Sequence, residues 1–290
     1  MNGILIIDKP KGFTSHDIVN IARKALKTKR VGHIGTLDPN ATGVLVLCIN
    51  KATKLVKYFE SHRKTYIATI KLGVKTDTDD LTGKIIEEGN TKGITEELIL
   101  EALNEFLGKQ KQIPPNYSAI KIDGKKLYEL ARRDIFVPNI KPRDIEIFNI
   151  SNFELLDQND GIVFKVEFEV SKGTYIRSIA RDIGDKLNCY GTLQDLRRTS
   201  IEEFDIKDAI TVEDLKAEKY EVKEPFQYLN LQKIVVDPLY KFYIQNGRFL
   251  DLDLFPVKTD TIIYSKDNEV LAIYYYDELK TRMRMSVKWC

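Results

Sequence analysis

"GHIGTLDPNATGVLVLCI", residues 32–49, decides how the rest of the chain is read. Its second half, Val44 to Ile49, is continuously apolar and largely β-branched, the pattern of a strand buried on both faces. The first half is crowded with helix breakers. Gly32, Gly35 and Gly43 let the backbone turn tightly or approach another group, and Pro39 keeps Asp38 out of the helical region. A single carboxylate is therefore held out on a loop anchored at the core. A turn aspartate is the plain reading of one Asp-Pro step; the rest of the chain decides whether it stands.

Outward from this stretch, Gly3 to Ile7 reads as a short buried strand, followed by a helix capped by Thr14 or Ser15 with Ile18, Val19, Ala22 and Leu26 on one face. A helix is expected near Thr53 to Ser61, with Leu55, Val56 and Phe59 inward. Tyr66, Ala68, Ile70 and Leu72 alternate with Ile67, Thr69 and Lys71 as a strand that ends in the acidic turn around Thr76 to Asp80. A helix starting at Thr95, with Glu96 and Glu97 in its first turn, is expected to stop at Gly108. "QIPPNYSAIKIDGKKLYELARR", residues 112–133, has two prolines, an Asp-Gly turn and five basic residues, and reads as an exposed excursion with a short helix from Leu127. Ile162 to Val170 alternates as a strand, and "SKGTYIRSIARDIGDKL" turns it into a helix. From about Ile234 the chain becomes aromatic and β-branched, with turn signals at Asn246-Gly247 and Lys266 to Asn268; residues 205–233 connect this β-rich end to the rest.

Length and charge narrow the function. The chain has 290 residues and three cysteines, Cys48, Cys189 and Cys290, which show no paired spacing; neither a disulfide framework nor a zinc site is expected. No apolar run is long enough to span a bilayer, and a soluble cytoplasmic protein is the expectation. The formal net charge is only +2, but it is unevenly spread. Residues 9–30 carry seven Lys or Arg against Asp17, and residues 109–143 carry nine against three acids. Two such basic runs, interleaved with Pro, Gly and Tyr, read as a nucleic-acid footprint on an otherwise acidic chain.

Six blocks, in fixed order over roughly residues 3–200, resemble the TruB family of bacterial tRNA pseudouridine synthases: "GILIIDKPKGFTSHDIV", "RVGHIGTLDPNATGVLVLCI", "KTYIATIKLGVKTDTDDLTG", "PPNYSAIKIDGKKLYELAR", "SKGTYIRSIARDIG" and "LRRTSI". The resemblance implies an α+β fold, a mixed, largely antiparallel sheet with flanking helices, plus a small C-terminal β-rich domain resembling PUA. It places a catalytic domain at 1–230, with an RNA-clamping insertion at about 109–143, and a PUA-like module at 234–290, though that last segment is short and carries few of the module's signatures. The implied reaction converts uridine 55 in the tRNA T-loop to pseudouridine, with the T-arm as partner, no cofactor, no metal, no membrane, no protein partner and a monomeric enzyme.

The resemblance also assigns residues. Asp38 takes the place of the catalytic aspartate, which serves as a nucleophile at C1′ or C6 of the uridine or as a base at the 2′ position. A carboxylate beside a reacting sugar needs a cation to stay ionised, and Arg177 matches the family's arginine partner. Tyr66 matches the aromatic platform for an everted base, and Tyr175 is expected to shape the same pocket. His33 matches a residue packed against the opened T-loop. Lys9 and Pro10 match a "DKP" turn expected to contact phosphate and support the catalytic loop. Asp80 contacts RNA or orients Arg177, Leu196 lines the base pocket, and Tyr117 and Lys121 are the expected contacts of the clamp.

Three other readings compete. A glycoside hydrolase would need a second carboxyl group in a comparable motif, and none is seen. A non-catalytic RNA-binding or folding factor leaves the pairing of Asp38 with Arg177 unexplained. A guide-RNA-dependent relative would not need the basic insertion.

Overall fold

The computed structural model describes all residues except 60–62, 119, 123, 132, 134, 136, 138, 139, 159 and 160. The chain opens with β1 (Gly3–Lys9), α1 (Ser15–Ala25), β2 (Val31–Ile34) and β3 (Thr42–Ile49). Thr14 caps α1 in a reciprocal box with Asp17, and Ile18, Val19 and Ala22 bury its inner face. β1 pairs antiparallel along the whole of β3, from Gly3 opposite Ile49 to Lys9 opposite Gly43. The other edge of β3 changes partner partway. β2 covers its C-terminal half, from Ile34 opposite Val46 to Val31 opposite Ile49, and residues 35–41 with Asp38 leave the sheet where that pairing stops.

A 3₁₀ turn over Asn50–Leu55 precedes the single turn α2 (Val56–Phe59), so the helix expected near Thr53 begins as a tighter spiral. Leu55 and Phe59 are nevertheless fully buried. β4 (Lys64–Leu72) shows the alternation read from its sequence, with Tyr66, Ala68, Ile70 and Leu72 inward. A hairpin of β5 (Val74–Thr76) and β6 (Ile85–Glu88) encloses the acidic turn. α3 (Glu96–Asn104), capped by the Thr95 side chain, ends four residues before Gly108, which instead opens β7 (Gly108–Gln112) with φ near +90°. The insertion holds the short hairpin β8 (Lys121–Ile122) and β9 (Lys125–Lys126), then α4 (Leu127–Ala131). Its first residues are less exposed than expected: Gln112, Pro114, Pro115 and Ser118 are buried and Asn116 and Tyr117 partly so, while Ile113 is exposed.

β10 (Arg143–Asp157), β11 (Val163–Val170), α5 (Ile176–Lys186), β12 (Gly191–Ile201) and β13 (Phe204–Asp205) complete the main sheet. Its order is β1-β3-β12-β4-β11-β10-β7, with β2 beside β3 and β13 beside β12. All its ladders are antiparallel except β3 with β12, where Arg197 and Arg198 lie opposite Thr42 and Gly43. Gly43 has φ near +102°, and a Cβ there would stand 2.1 Å from the Arg198 carbonyl oxygen, so only glycine lets β12 lie against the loop's exit. β12 carries register shifts between Leu193 and Asp195 and between Arg198 and Ser200; such bulges re-aim side chains, here those that border the Asp38 loop.

The sheet is buried on both faces at β1 and β3. Leu5, Ile7, Leu45, Leu47 and Ile49 pack with α1 and with α6 (Val212–Lys216), while Ile4, Ile6, Val44, Val46 and Cys48 pack on the other side with Phe59, Phe204 and Phe226. That two-sided burial explains the unbroken apolar run of β3. Farther along, α5 lays Ile176, Ile179, Ala180 and Ile183 over β4 and β11. It approaches β12 closely because Gly184 has no side chain; a Cβ there would be 2.0 Å from the Gly191 nitrogen.

A second sheet follows, formed by β14 (Gln232–Val236), β15 (Thr261–Ser265), β16 (Val270–Asp277) and β17 (Arg282–Lys288) in that order, with α7 (Pro238–Gln245) against it. Ile262, Ile273 and Val287 join the core cluster of Ile4, Val44 and Phe59, and the Tyr58 hydroxyl meets Ser286 Oγ at 2.6 Å. Among the described residues no helix is long and apolar enough to cross a membrane, and the three cysteines are free.

Candidate active site

Asp38 sits in the β2–β3 loop with its side chain about half exposed, and its Oδ2 lies 3.0 Å from Nε of Arg177. Arg177 belongs to the first turn of α5 and is 6% exposed. Its other two nitrogens are also spoken for: Nη1 donates to the Thr78 carbonyl at 3.1 Å and Nη2 to the Tyr117 carbonyl at 2.9 Å. A guanidinium held at three points presents one edge to the carboxylate in a fixed direction. The carboxylate is otherwise about half exposed and open to a bound molecule.

Asp80 lies beside the pair, its Oδ2 3.9 Å from Nε of Arg177. Its other oxygen accepts hydrogen bonds from the Thr78 hydroxyl and from both the amide and the hydroxyl of Thr82. The acidic turn is in turn fastened to β12, since Leu81 N donates to the Leu193 carbonyl and Leu193 N to the Asp79 carbonyl. Asp79 faces the other way, onto Arg181, where burial raises its pKa against that ion pair. Asp38, Asp80, Arg177 and Leu196 line one depression together with Leu81, Thr82 and Leu193. The depression is small, with a cavity volume of about 30 Å³. It opens to solvent, which reaches the half-exposed Asp38 side chain.

The loop that carries Asp38 is caged by buried polar groups. Ser15 Oγ accepts from the Leu37 amide at 2.9 Å and donates to the Leu37 carbonyl at 3.1 Å. Lys9 donates to the carbonyls of Pro10, Phe13 and Pro39 at 3.0, 2.7 and 3.1 Å. Arg198 is fully buried and spans the loop's two ends, with Nη2 donating to the Gly35 carbonyl at 2.7 Å and Nε to the Val44 carbonyl at 2.8 Å.

Lys9 therefore corrects one expectation. Its ammonium is wholly buried and its three protons go to backbone carbonyls, so it is not free to meet a phosphate. Burial lowers its pKa to about 8, opposed by the Asp38 carboxylate, and the three carbonyls favour the charged form at neutral pH. Pro10 contributes one of those carbonyls. Burial likewise pulls Arg198 below the ordinary arginine value, and the Tyr66 hydroxyl works against it, although Nη1 of Arg198 has no hydrogen-bond partner of good geometry.

The remaining residues are placed around this centre. Tyr66, on β4, lies opposite Arg198 in the ladder and is 7% exposed, in the same core cluster as Leu37 and Ala41; it does not line the depression itself. Tyr175 is the N-cap of α5, and burial raises its phenol pKa. His33 is on β2, its Nε2 3.2 Å from the Thr36 hydroxyl. Burial, then the charges of Arg198 and His16, lower its pKa and favour neutral imidazole. Tyr117 enters the site through its carbonyl, and its side of the insertion borders a second cavity of about 230 Å³ with Asp77, Asn116 and Leu127. Lys121 starts β8, and its side chain lies outside the described residues. Reading from sequence missed Ser15, Arg198 and Gln112. Arg198 stands inside the "LRRTSI" block, and Gln112 heads "QIPP", but neither shows its partner in the linear chain.

With this geometry in view, comparison with known proteins identifies the class. An H/ACA ribonucleoprotein structure bound to a substrate RNA containing 2′-deoxyuridine superposes with a TM-score of 0.67 at 22% identity, covering 99% of this chain and 84% of that one. The shared feature is the fold. In sequence, the N-terminal domain of TruB family pseudouridylate synthases matches residues 23–176, and the tRNA pseudouridylate synthase B C-terminal domain matches residues 177–239. A tRNA pseudouridine synthase B of Alkaliphilus oremlandii is 44% identical over 253 residues, 85% of this chain and 82% of its own length. One of Thermosipho melanesiensis is 42% identical over 279 residues, 94% of this chain and 88% of its own length. The chain belongs to the TruB family of pseudouridylate synthases.

Proposed function

We propose that this protein isomerises uridine 55 in the T-loop of tRNA to pseudouridine, with Asp38 as the catalytic carboxylate. The observation that carries the reading is the 3.0 Å contact between Asp38 Oδ2 and the buried Arg177, beside an Asp38 side chain that solvent still reaches. The relatives named tRNA pseudouridine synthase B support tRNA as the substrate. The reaction breaks the bond from C1′ to N1, turns the base, joins C1′ to C5 and releases the C5 proton while N1 takes one up, so it is a redox-neutral isomerisation that asks the protein only for a carboxylate and a way to hold the base. Asp38 attacks the sugar or the uracil, or removes a proton from the sugar. Arg177 pairs with it and fixes its direction in a site that fills with substrate.

In this reading the uridine is everted, Tyr66 and Tyr175 face its base, and Leu196 closes the apolar side. Asp80 holds the orientation of Arg177. Lys9 and Pro10 brace the loop. His33 packs against the opened T-loop, and Tyr117 and Lys121 belong to the clamp. Residues 1–230 form the catalytic domain and residues 234–290 a PUA-like RNA-binding module, in a cytoplasmic monomer.

The test is to incubate the purified protein with an unmodified T-arm hairpin, without any guide RNA, and map pseudouridine by position. Pseudouridine at position 55 with wild type, and none with Asp38→Asn despite retained binding, is the expected result. Turnover by Asp38→Asn within about tenfold of wild type, against the two to four decades a positioned catalytic group supplies, would overturn the role of Asp38. A strict need for guide RNA would overturn the stand-alone reading.

A further inference from the structure

The first turn of α5 carries Arg177, yet its N-cap residue, Tyr175, makes no side-chain capping hydrogen bond. The usual Ser, Thr, Asp or Asn at that position is absent, and the cap comes from elsewhere. Gln112, the last residue of β7, donates from Nε2 to the Tyr175 carbonyl at 3.0 Å, and its Oε1 accepts from the Tyr175 amide at 2.8 Å. Tyr175 has extended backbone angles, φ −103° and ψ 111°, so its N–H and C=O point to the same side. The carboxamide engages both as a neighbouring strand would. Gln112 is 3% exposed and its backbone pairs with Arg143 on β10, so its base is fixed in the sheet.

The residues after Gln112 extend the same attachment. The Ile113 carbonyl accepts from Ser178 Oγ at 2.9 Å and from Arg181 Nη2 at 3.0 Å, and the Tyr117 carbonyl accepts from Arg177. Every one of these donors lies on the first two turns of α5. The root of the insertion thus sets where that helix begins, and Arg177 stands two residues beyond the clipped position.

We propose that Gln112 is a positioning residue for the isomerisation: its side-chain amide holds the Tyr175 backbone so that Arg177 meets Asp38 in a productive direction and the Tyr175 ring faces the substrate. The inference rests on the reading that the Asp38–Arg177 pair performs the chemistry. The side-chain hydrogen bonds of Gln112 go to the peptide of Tyr175, through which it acts on that pair.

Gln112→Glu separates positioning from simple packing. The carboxylate keeps the size of the amide and still accepts from the Tyr175 N–H, but it has no proton for the Tyr175 carbonyl and sets two oxygens against each other. Protonation restores the donor. Burial raises such a carboxyl's pKa, while the cations around it, Arg143 on β10 and Arg177 and Arg181 on α5, lower it. The single-turnover rate on a T-arm hairpin is measured from pH 8 to 5.5 for wild type, Gln112→Glu, Gln112→Ala and Asp38→Asn, with RNA affinity and thermal melting recorded for each.

The expected result is a rate about ten- to a hundredfold below wild type for Gln112→Ala at every pH, the loss that a small misplacement of a catalytic group causes. Its RNA affinity should stay within about threefold, since no phosphate contact is lost. For Gln112→Glu the rate relative to wild type should climb at least about fivefold as pH falls through the carboxyl's pKa. A flat Gln112→Glu ratio, or a rate for either variant within twofold of wild type, overturns the proposal. If Gln112→Ala does not fold, the pH course of Gln112→Glu alone decides. An active Asp38→Asn would instead overturn the underlying reading, so the two failures are distinguishable.

Discussion

Two segments meet at the Asp38–Arg177 contact, and they are held in place by different chemistry. The loop that carries Asp38 is fixed from within the core by Lys9 and Arg198, both fully buried, and by Ser15. The helix start that carries Arg177 is fixed from the far edge of the sheet, by the neutral amide of Gln112 at the end of β7 and by carbonyls of the insertion. A buried cation satisfied by carbonyls is costly to disturb, because its removal leaves acceptors without donors in a place water does not reach. A peptide clip on a helix end is cheaper to lose. The carboxylate side of the pair is therefore coupled to folding, and the arginine side to the segment expected to meet RNA. Substitutions of the buried supports on the first side, Lys9, Arg198 and Ser15, should act mainly on stability, and those of the Gln112 clip mainly on turnover; Arg177, itself a buried cation that donates to two carbonyls, should affect both.

The largest effect expected is on the arginine side. Arg177→Lys keeps a positive charge but cannot hold Asp38, Thr78 and Tyr117 at once, and the turnover rate should fall by about a hundred- to a thousandfold. RNA affinity should be nearly unchanged. Quench-flow measurement with excess enzyme reads the chemical step directly, and a rate near that of wild type would remove the pairing role. Next in size, Arg198→Met leaves the Gly35 and Val44 carbonyls without donors and should cost about 2–3 kcal/mol of stability. At about 2–4 °C per kcal/mol for a chain of this size, melting should drop by roughly 4–12 °C. Activity per folded molecule at low temperature should survive. Unchanged melting with lost turnover would break the comparison, since Arg198 would then act on the substrate rather than on the fold.

How much of this was legible in the sequence varied with how local the cause is. α1 was readable because its cap, its apolar stripe and its acidic first turn are all within twelve residues. β3 was readable because two-sided burial leaves an unbroken apolar run. By contrast β10 and β12 were not assigned. β10 has three register shifts that interrupt its alternation, and most of its side chains are only partly covered. β12 is a central strand that carries Gln194, Asp195, Arg197, Arg198 and Thr199, a polar run that no propensity scale marks as core. Asp38 and Arg177 stood out because their blocks are specific, while the 3.0 Å contact between residues so far apart in sequence belongs to the fold. Lys9 was found in the right block with two expected tasks, and it braces the loop as expected while its burial leaves no proton for a phosphate. Gln112 left no trace at all: a glutamine's use as another helix's cap depends wholly on which backbone it faces.

The smallest effect expected is at Ser15, and it sharpens the comparison most. Its hydroxyl both accepts from and donates to Leu37, the residue just before Asp38, and it is 2% exposed. Ser15→Ala removes that exchange without adding bulk or charge. One amide and one carbonyl then lose a partner, which should cost about 1–2 kcal/mol and lower the melting temperature by roughly 2–8 °C. Lys9 and the Gly12 amide still hold the Pro39 carbonyl, and Arg198 still spans Gly35 and Val44, so the carboxylate stays aligned. Turnover per folded molecule should fall by less than about tenfold, the loss of one ordinary hydrogen bond's worth of alignment. Calorimetry and single-turnover kinetics on the same preparation give both numbers. A large kinetic loss without a thermal one would mean that the loop is tuned for chemistry at Leu37 as closely as α5 is at Tyr175, and the division between a folded side and an aligned side would no longer hold.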